Sequence, residues 1–330
     1  MLHLITSFPK LTLLISACLT SIFYILLHKA PKNTVILYFW IHIFAYLGFC
    51  LIYLFKDMTI HFDMTHLETI IFDTNYYNFP IYLFSGLCCV GTYIIFDLLI
   101  KSFSIPLVVS LSQISIIITT IGYIVLGDKT SIISILGITT IFLGSIIAGC
   151  TSFSFKHPLK IFKDYNVNLL VWSTIKASLY SVTILIGYLC LNKHNETTKM
   201  ILHQLTKHLR YFPCHLIAPI HFNIGVQFSL FICILLFIIF YQKQSDQIIP
   251  TFFNYVPLTL ILSTLYVLHS YLLLSAYNYI PNQNMITAIM QLSLPITFFG
   301  SYIIYQTKNS KEELAGMFMI IAGTMITVLG

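Results

Sequence analysis

The chain reads as an all-α membrane protein with ten transmembrane helices, arranged as two inverted five-helix repeats. Three observations lead to this expectation. Apolar runs long enough to cross a bilayer fill almost all of the sequence. Of its 330 residues, 58% are hydrophobic and only 8% are charged, against about 25% charged in a soluble domain. Small and polar residues also recur at matching positions in the two halves. A mean hydropathy of +0.88 is too high for a fold that faces water, so lipid must be the solvent.

The predicted spans are 11–27, 34–55, 80–100, 104–126, 132–149, 169–191, 224–241, 257–277, 283–305 and 314–330. A crossing needs about 20 residues at 1.5 Å rise, with about 17 as the lower limit. Each run meets that length, the shortest narrowly. Without water to satisfy the backbone, each must be a helix or part of a closed barrel. Barrel strands alternate polar and apolar residues, whereas these runs are apolar all round. Lys10 precedes the first run as in a signal peptide, but another span follows within a few residues, so the run is read as a membrane helix. The predicted division is a first repeat over 1–150, a linker over 151–168 and a second repeat over 169–330.

Three connections are long. The stretch 56–79 carries Asp57, Asp63, Glu68 and Asp73; 150–168 is basic through Lys156, Lys160 and Lys163. Within the longest, 192–223, Ile201, Leu205 and Leu209 have the spacing of an interfacial amphipathic helix, and an ordinary solvated loop fits equally. The net charge of +6 is spread singly over short loops, so no nucleic-acid stripe is expected. With 192–223 set aside, Lys and Arg number 3 on the amino-terminal side and 9 on the other. The positive-inside rule then places both termini outside the cytoplasm. Eight Cys lack metal-ligand spacing, and no cofactor is expected. Asn195-Glu196-Thr197 is a glycosylation sequon, meaningful only on a lumenal face. The expected setting is multi-pass, in a bacterial inner (plasma) membrane, as a monomer or homodimer.

The repeat is visible in register. Gln113, Ser115 and Gly122 match Gln291, Ser293 and Gly300 at an offset of 178, and Gly137 and Gly144 match Gly316 and Gly323 at 179. Residues 17–21 stand beside 177–181 in the same way. Gly137, Gly144 and Ala148 share a helix face, as do Gly316, Gly323 and Thr327, a packing signal for closely approaching helices. An odd number of crossings per half forces the halves to lie upside down relative to each other. This pattern resembles the drug/metabolite transporter superfamily, in particular the EamA-like ten-helix proteins. Gly127-Asp128-Lys129 stands where that family often has Gly-Glu-Lys/Arg, while Gln306-Thr307-Lys308 lacks the acid. The resemblance implies two inverted repeats around a central cavity, walled by the third, fourth, eighth and ninth helices, with the fifth and tenth peripheral. It also implies transport of small solutes such as amino acids, metabolites, nucleotide sugars or drugs.

Polar groups inside the spans are the candidate solute contacts, since burying charge in a bilayer costs at least about 2.5 kcal/mol. Lys176 has Trp172 and Tyr180 one turn to either side. That face would hold a carboxylate or phosphate; alternatively Lys176 snorkels to the interface with a cation–π contact to Trp172. His42, between Tyr38 and Tyr46, and His269, above Tyr266, would each exchange a proton or bind solute, or be satisfied by a neighbouring helix. Asp97 reads as an interfacial pair with Lys101, or as a coupling residue. Gln113 and Gln291 are expected across the pseudo-twofold axis from each other, as solute contacts or interhelical hydrogen bonds.

The expected function is secondary transport of a small polar metabolite by alternating access. The first span has no acid, and the membrane interior is biased to Lys and His. An anionic or zwitterionic solute is therefore expected over a lipophilic cation. A multidrug exporter of the same fold and a non-transporting receptor or scaffold are the alternatives. An enzyme is not expected; His61, Asp63 and His66 come nearest to a metal cluster.

Overall fold

In a computed structural model of the chain, the structure describes residues 8–27, 34–58, 79–102, 108, 113–128, 130–149, 167–191, 219–242, 245–277, 279–280, 282–306 and 310–330. These contain eleven α-helices and no strand. They are α1 (Pro9–Leu27), α2 (Thr34–Met58), α3 (Phe79–Ser102), α4 (Ile114–Val125), α5 (Ile132–Gly149), α6 (Val167–Leu191), α7 (Pro219–Phe237), α8 (Ile248–Ala276), α9 (Gln283–Gln291), α10 (Ser293–Tyr305) and α11 (Lys311–Leu329). Seven spans among the described residues are long and apolar enough to cross a membrane: α1, Val35–Leu54, Ile81–Leu99, Ile220–Tyr241, α8, the combined Gln283–Tyr305 and α11. The protein is thus an all-α, multi-pass membrane protein.

The boundaries depart from the sequence reading in instructive places. Helix α8 begins at Ile248, not near Pro257. Proline lacks the N–H and clashes with the preceding turn, so the helix kinks instead of starting there, and Tyr255 leaves helical geometry (φ −127°, ψ 20°). Helix α7 starts at Pro219, where proline's fixed φ suits a first turn, and passes into a π-helical turn over Ile238–Gln242. The ninth predicted span is divided at Leu292. Pro295 cannot donate to the Gln291 carbonyl, so the ladder is interrupted there. Helices α4 and α5 are shorter apolar helices, and most of the predicted 104–113 stretch lies outside the described residues. Helix α6 is 25 residues long and carries Lys176 among several Ser and Thr. The linker, the candidate amphipathic segment, the sequon and the His61, Asp63 and His66 loop also lie outside the described residues.

Packing is selective. Helix α1 lies against α8 and α10, α6 against α3 and α4, α2 against α7 and α8, α3 against α7, and α5 against α11. The α5–α11 contact is the closest. A Cβ at Gly144 would fall 2.7 Å from the Gly316 carbonyl, and one at Gly323 would fall 2.6 Å from the Gly137 carbonyl. Backbone therefore meets backbone at both ends of the seam, as the small-residue spacing led one to expect. Lipid gives helices no hydrophobic reason to associate, so close van der Waals contact carries this pair. A capping box opens α11: Ser310 Oγ accepts from the Glu313 N–H at 3.1 Å, and the Ser310 N–H donates to Glu313 Oε2 at 2.7 Å.

Hydroxyl groups tie the helices together at equivalent depths. Ser21 on α1 donates to the Ser293 carbonyl at the start of α10 at 2.9 Å, and Ser181 on α6 donates to the Ser115 carbonyl of α4 at 3.0 Å. Similarly, a Cβ at Gly300 would strike Ile25, and one at Gly122 would strike Leu185. The chain leaves α4 and α10 through left-handed residues, Gly127 (φ 85°) and Gln306 (φ 53°).

The seam makes a quantitative expectation. Gly316→Ala should lower unfolding stability by about 1–3 kcal/mol, because backbone atoms of α5 cannot yield. At Gly187 a new Cβ would meet Phe222 and Leu274 at 3.8–3.9 Å. Gly187→Ala should therefore be neutral or stabilising by up to about 1 kcal/mol through helix propensity. Thermal unfolding of both variants in detergent checks the contrast.

Candidate functional site

A polar and aromatic cluster forms where α2, α3, α7 and α8 meet. It is built on His42, which is 0% exposed. His42 Nδ1 lies 2.6 Å from Gln227 Oε1 on α7, and Gln227 Nε2 donates to the Tyr266 hydroxyl on α8 at 3.3 Å. With the amide oxygen as acceptor, Nδ1 is the donor, and Nε2 of the neutral ring presents a lone pair. That Nε2 is buried and has no hydrogen-bond partner among the described residues. Tyr93 from α3 stacks on the imidazole with centroids 5.5 Å apart, and Tyr266 meets it edge-on at 5.1 Å. Tyr38 stacks on Tyr93 at 4.4 Å.

The cluster continues through Tyr266 to His269, whose rings are 6.5 Å apart. His269 Nδ1 is 2.8 Å from both Ser16 Oγ and Thr20 Oγ1 on α1. Of the two open readings for each histidine, a partner on a neighbouring helix is present for both. For His42 that partner leaves one nitrogen unsatisfied.

Two further tyrosines border this region. Tyr24 on α1 and Tyr180 on α6 have 48% and 46% of their surface accessible. Tyr180 is within electrostatic reach of Tyr24, Tyr277, Cys89 and Tyr266, and Tyr93 within reach of Tyr266, Cys89, Tyr38 and Tyr24. Helices α1, α2, α3, α6 and α8 therefore turn tyrosines toward one region.

The ring that Lys176 meets is not the Trp172 of the snorkelling reading. It is buried, 9% exposed, with Nζ 4.3 Å from the centroid of Phe96 on α3. Trp172 is exposed instead of covering it, because the α6–α3 contact turns Lys176 inward and Trp172 away. Asp97 is buried and within electrostatic reach of Tyr38; the side chain of Lys101, its expected partner, lies outside the described residues.

The two glutamines occupy helix ends. Gln113 precedes the first residue of α4, and Gln291 closes α9 at the break before α10. Gln113 is 8% exposed, and its Oε1 has no partner among the described residues. Gln291 is half-buried. Helices α4 and α9 touch, but among the described residues no hydrogen bond joins the two amides.

The structure thus gathers His42, Tyr266 and His269, places Tyr180 near them, and separates Lys176 onto Phe96. Sequence reasoning missed Gln227, Tyr93 and Tyr24. Gln227 carried a usable signal, as a lone amide within an apolar span. Tyr93 and Tyr24 carried none, being two of 21 tyrosines.

No protein-family profile matches the chain, and no curated protein matches it in sequence. Among solved structures, a chain described only as "Crystal structure of protein" superposes with a TM-score of 0.54 at 9% identity, over 97% of this chain and 95% of that one. At that identity the likeness concerns the fold alone: over nearly its full length, this protein shares a helical architecture with a protein already solved.

Proposed function

We propose that this protein is a secondary transporter moving a small polar metabolite, such as an amino acid, across a bacterial inner (plasma) membrane. It would work by alternating access between two inverted five-helix repeats, as in the drug/metabolite transporters that its sequence resembles. The observation that carries the reading is the duplication of interhelix contacts. Ser21 and Ser181 differ by 160, as do Ile25 and Leu185; Ser115 and Ser293 differ by 178, as do Gly122 and Gly300. Each half therefore makes the same bond and the same close approach to the other half. The left-handed Gly127 and Gln306 differ by 179, the offset of the seam glycines.

Helix partnerships support the same reading. Exchange α1 for α6, α2 for α7, α3 for α8, α4 for α9–α10 and α5 for α11, and the main pairs map onto one another. Such exchange symmetry is what a two-state rocking motion requires, because the opposite-facing state forms when the halves trade conformations. The interior is suited to a polar solute. Polar groups within a span are costly and usually functional, and here hydroxyls, amides and imidazoles converge beside accessible tyrosines.

Topology is directly testable. Five crossings per half require the α4–α5 turn and the α10–α11 turn to face opposite sides. Asp128→Cys and Lys311→Cys, made on a background without the native cysteines, should react with a membrane-impermeant maleimide from opposite faces of the vesicle. Labelling from the same face removes the inverted arrangement.

Gln113 separates a solute contact from a structural amide. Counterflow in proteoliposomes against a metabolite panel should identify a solute that also raises the melting temperature of the protein. Gln113→Leu removes a buried unsatisfied acceptor, worth about 1–3 kcal/mol, so the solute-free protein should melt higher while the solute-induced shift is lost. A retained shift makes the amide structural, and no counterflow with any metabolite sinks the transporter reading.

A further inference from the structure

Resting on the transporter reading, the chemistry around His42 narrows the solute. His42 Nε2 is an acceptor, fully buried, with no partner among the described residues. Its ring is held by the Gln227 bond at Nδ1 and by Tyr93 and Tyr266. Leaving such an acceptor unsatisfied is costly, so the site asks for a donor. Its surroundings specify the donor further. Aromatic faces carry negative potential and attract cations, and Tyr38, stacked on Tyr93, is within electrostatic reach of the Asp97 carboxylate. The buried cation Lys176 lies over Phe96.

We propose that this cluster receives a protonated amine. An ammonium that retains an N–H donates to His42 Nε2, while its charge is stabilised by the tyrosine rings around it. A carboxylate has only acceptors and would meet the lone pair of Nε2 and the negative faces of the rings. A quaternary ammonium would find the rings but could not satisfy the nitrogen. The recognised group is thus an amine with at least one N–H, whether carried by a zwitterion or by a simple organic cation.

The test uses the full-length purified protein with alanine, propylamine, tetramethylammonium and propionate as probes, read by thermal shift and by counterflow. Alanine and propylamine should bind about tenfold or more tightly than tetramethylammonium, the difference a hydrogen bond to a charged group supplies. Propionate should not compete. Whichever of alanine and propylamine binds better identifies the ammonium as belonging to a zwitterion or to a cation, and either result supports the inference. His42→Phe keeps a ring beside Tyr93 and removes the acceptor, so it should erase the preference for N–H-bearing amines. The comparison of amines in the unmodified protein stands even if that variant fails to fold. Preference for tetramethylammonium, or no response to any amine, overturns the inference. Transport of propionate without amines overturns it and leaves the transporter reading intact. Absence of counterflow with every metabolite overturns both.

Discussion

A hydrocarbon solvent offers no hydrogen bonds, and that constraint organises the whole molecule. Every N–H, C=O and hydroxyl at membrane depth must be satisfied by protein. Helices satisfy the backbone, and the hydroxyls mostly bond back to the preceding turn, as Ser21 does to the Ala17 carbonyl and Ser181 to the Ala177 carbonyl. The few groups that reach another helix then decide which helices are neighbours. Ser21 and Ser181 each reach a carbonyl across an interface. Bonds of this kind are worth about 0.6 kcal/mol on average, so they set register more than they hold the bundle together.

Cohesion comes from close packing instead. The α5–α11 seam exposes backbone to backbone through Gly137, Gly144, Gly316 and Gly323. The helices of the site pack through aromatic and branched side chains, and α3 and α7 also come close, where a Cβ at Gly86 would meet the Ser229 backbone at 3.2 Å. Pro257 and Pro295, each within a helix that contacts α1, interrupt the backbone ladder.

Part of the polarity inside the bundle is gathered in one place. His42, Gln227 and Tyr266 form one chain of hydrogen bonds across α2, α7 and α8, and His269 extends it toward α1. A satisfied network would simply rigidify the core. The unsatisfied Nε2 of His42 is one of several departures from that rule among the described residues, and Oε1 of Gln113 is another.

Much of this was legible in the amino-acid order. Apolar content and run length determined a multi-pass helical protein, because only backbone-satisfied elements survive in lipid. The spacing of Gly137, Gly144, Gly316 and Gly323 determined a close-packed helix pair, because small residues one or two turns apart must share a face. His42, His269 and Lys176 stood out because charge at membrane depth is rare. Helix ends were less legible: Pro257 read as a start and became a kink, since a proline's effect depends on whether neighbours support the turn before it. What only the tertiary structure decided was partnership. It joined His42 to Gln227 across 185 positions of chain, turned Lys176 to Phe96 and away from Trp172, and selected Tyr93 and Tyr24 from among many tyrosines. Periodicity tells which residues share a face of one helix, but in a bundle that is apolar all round it cannot tell what that face meets.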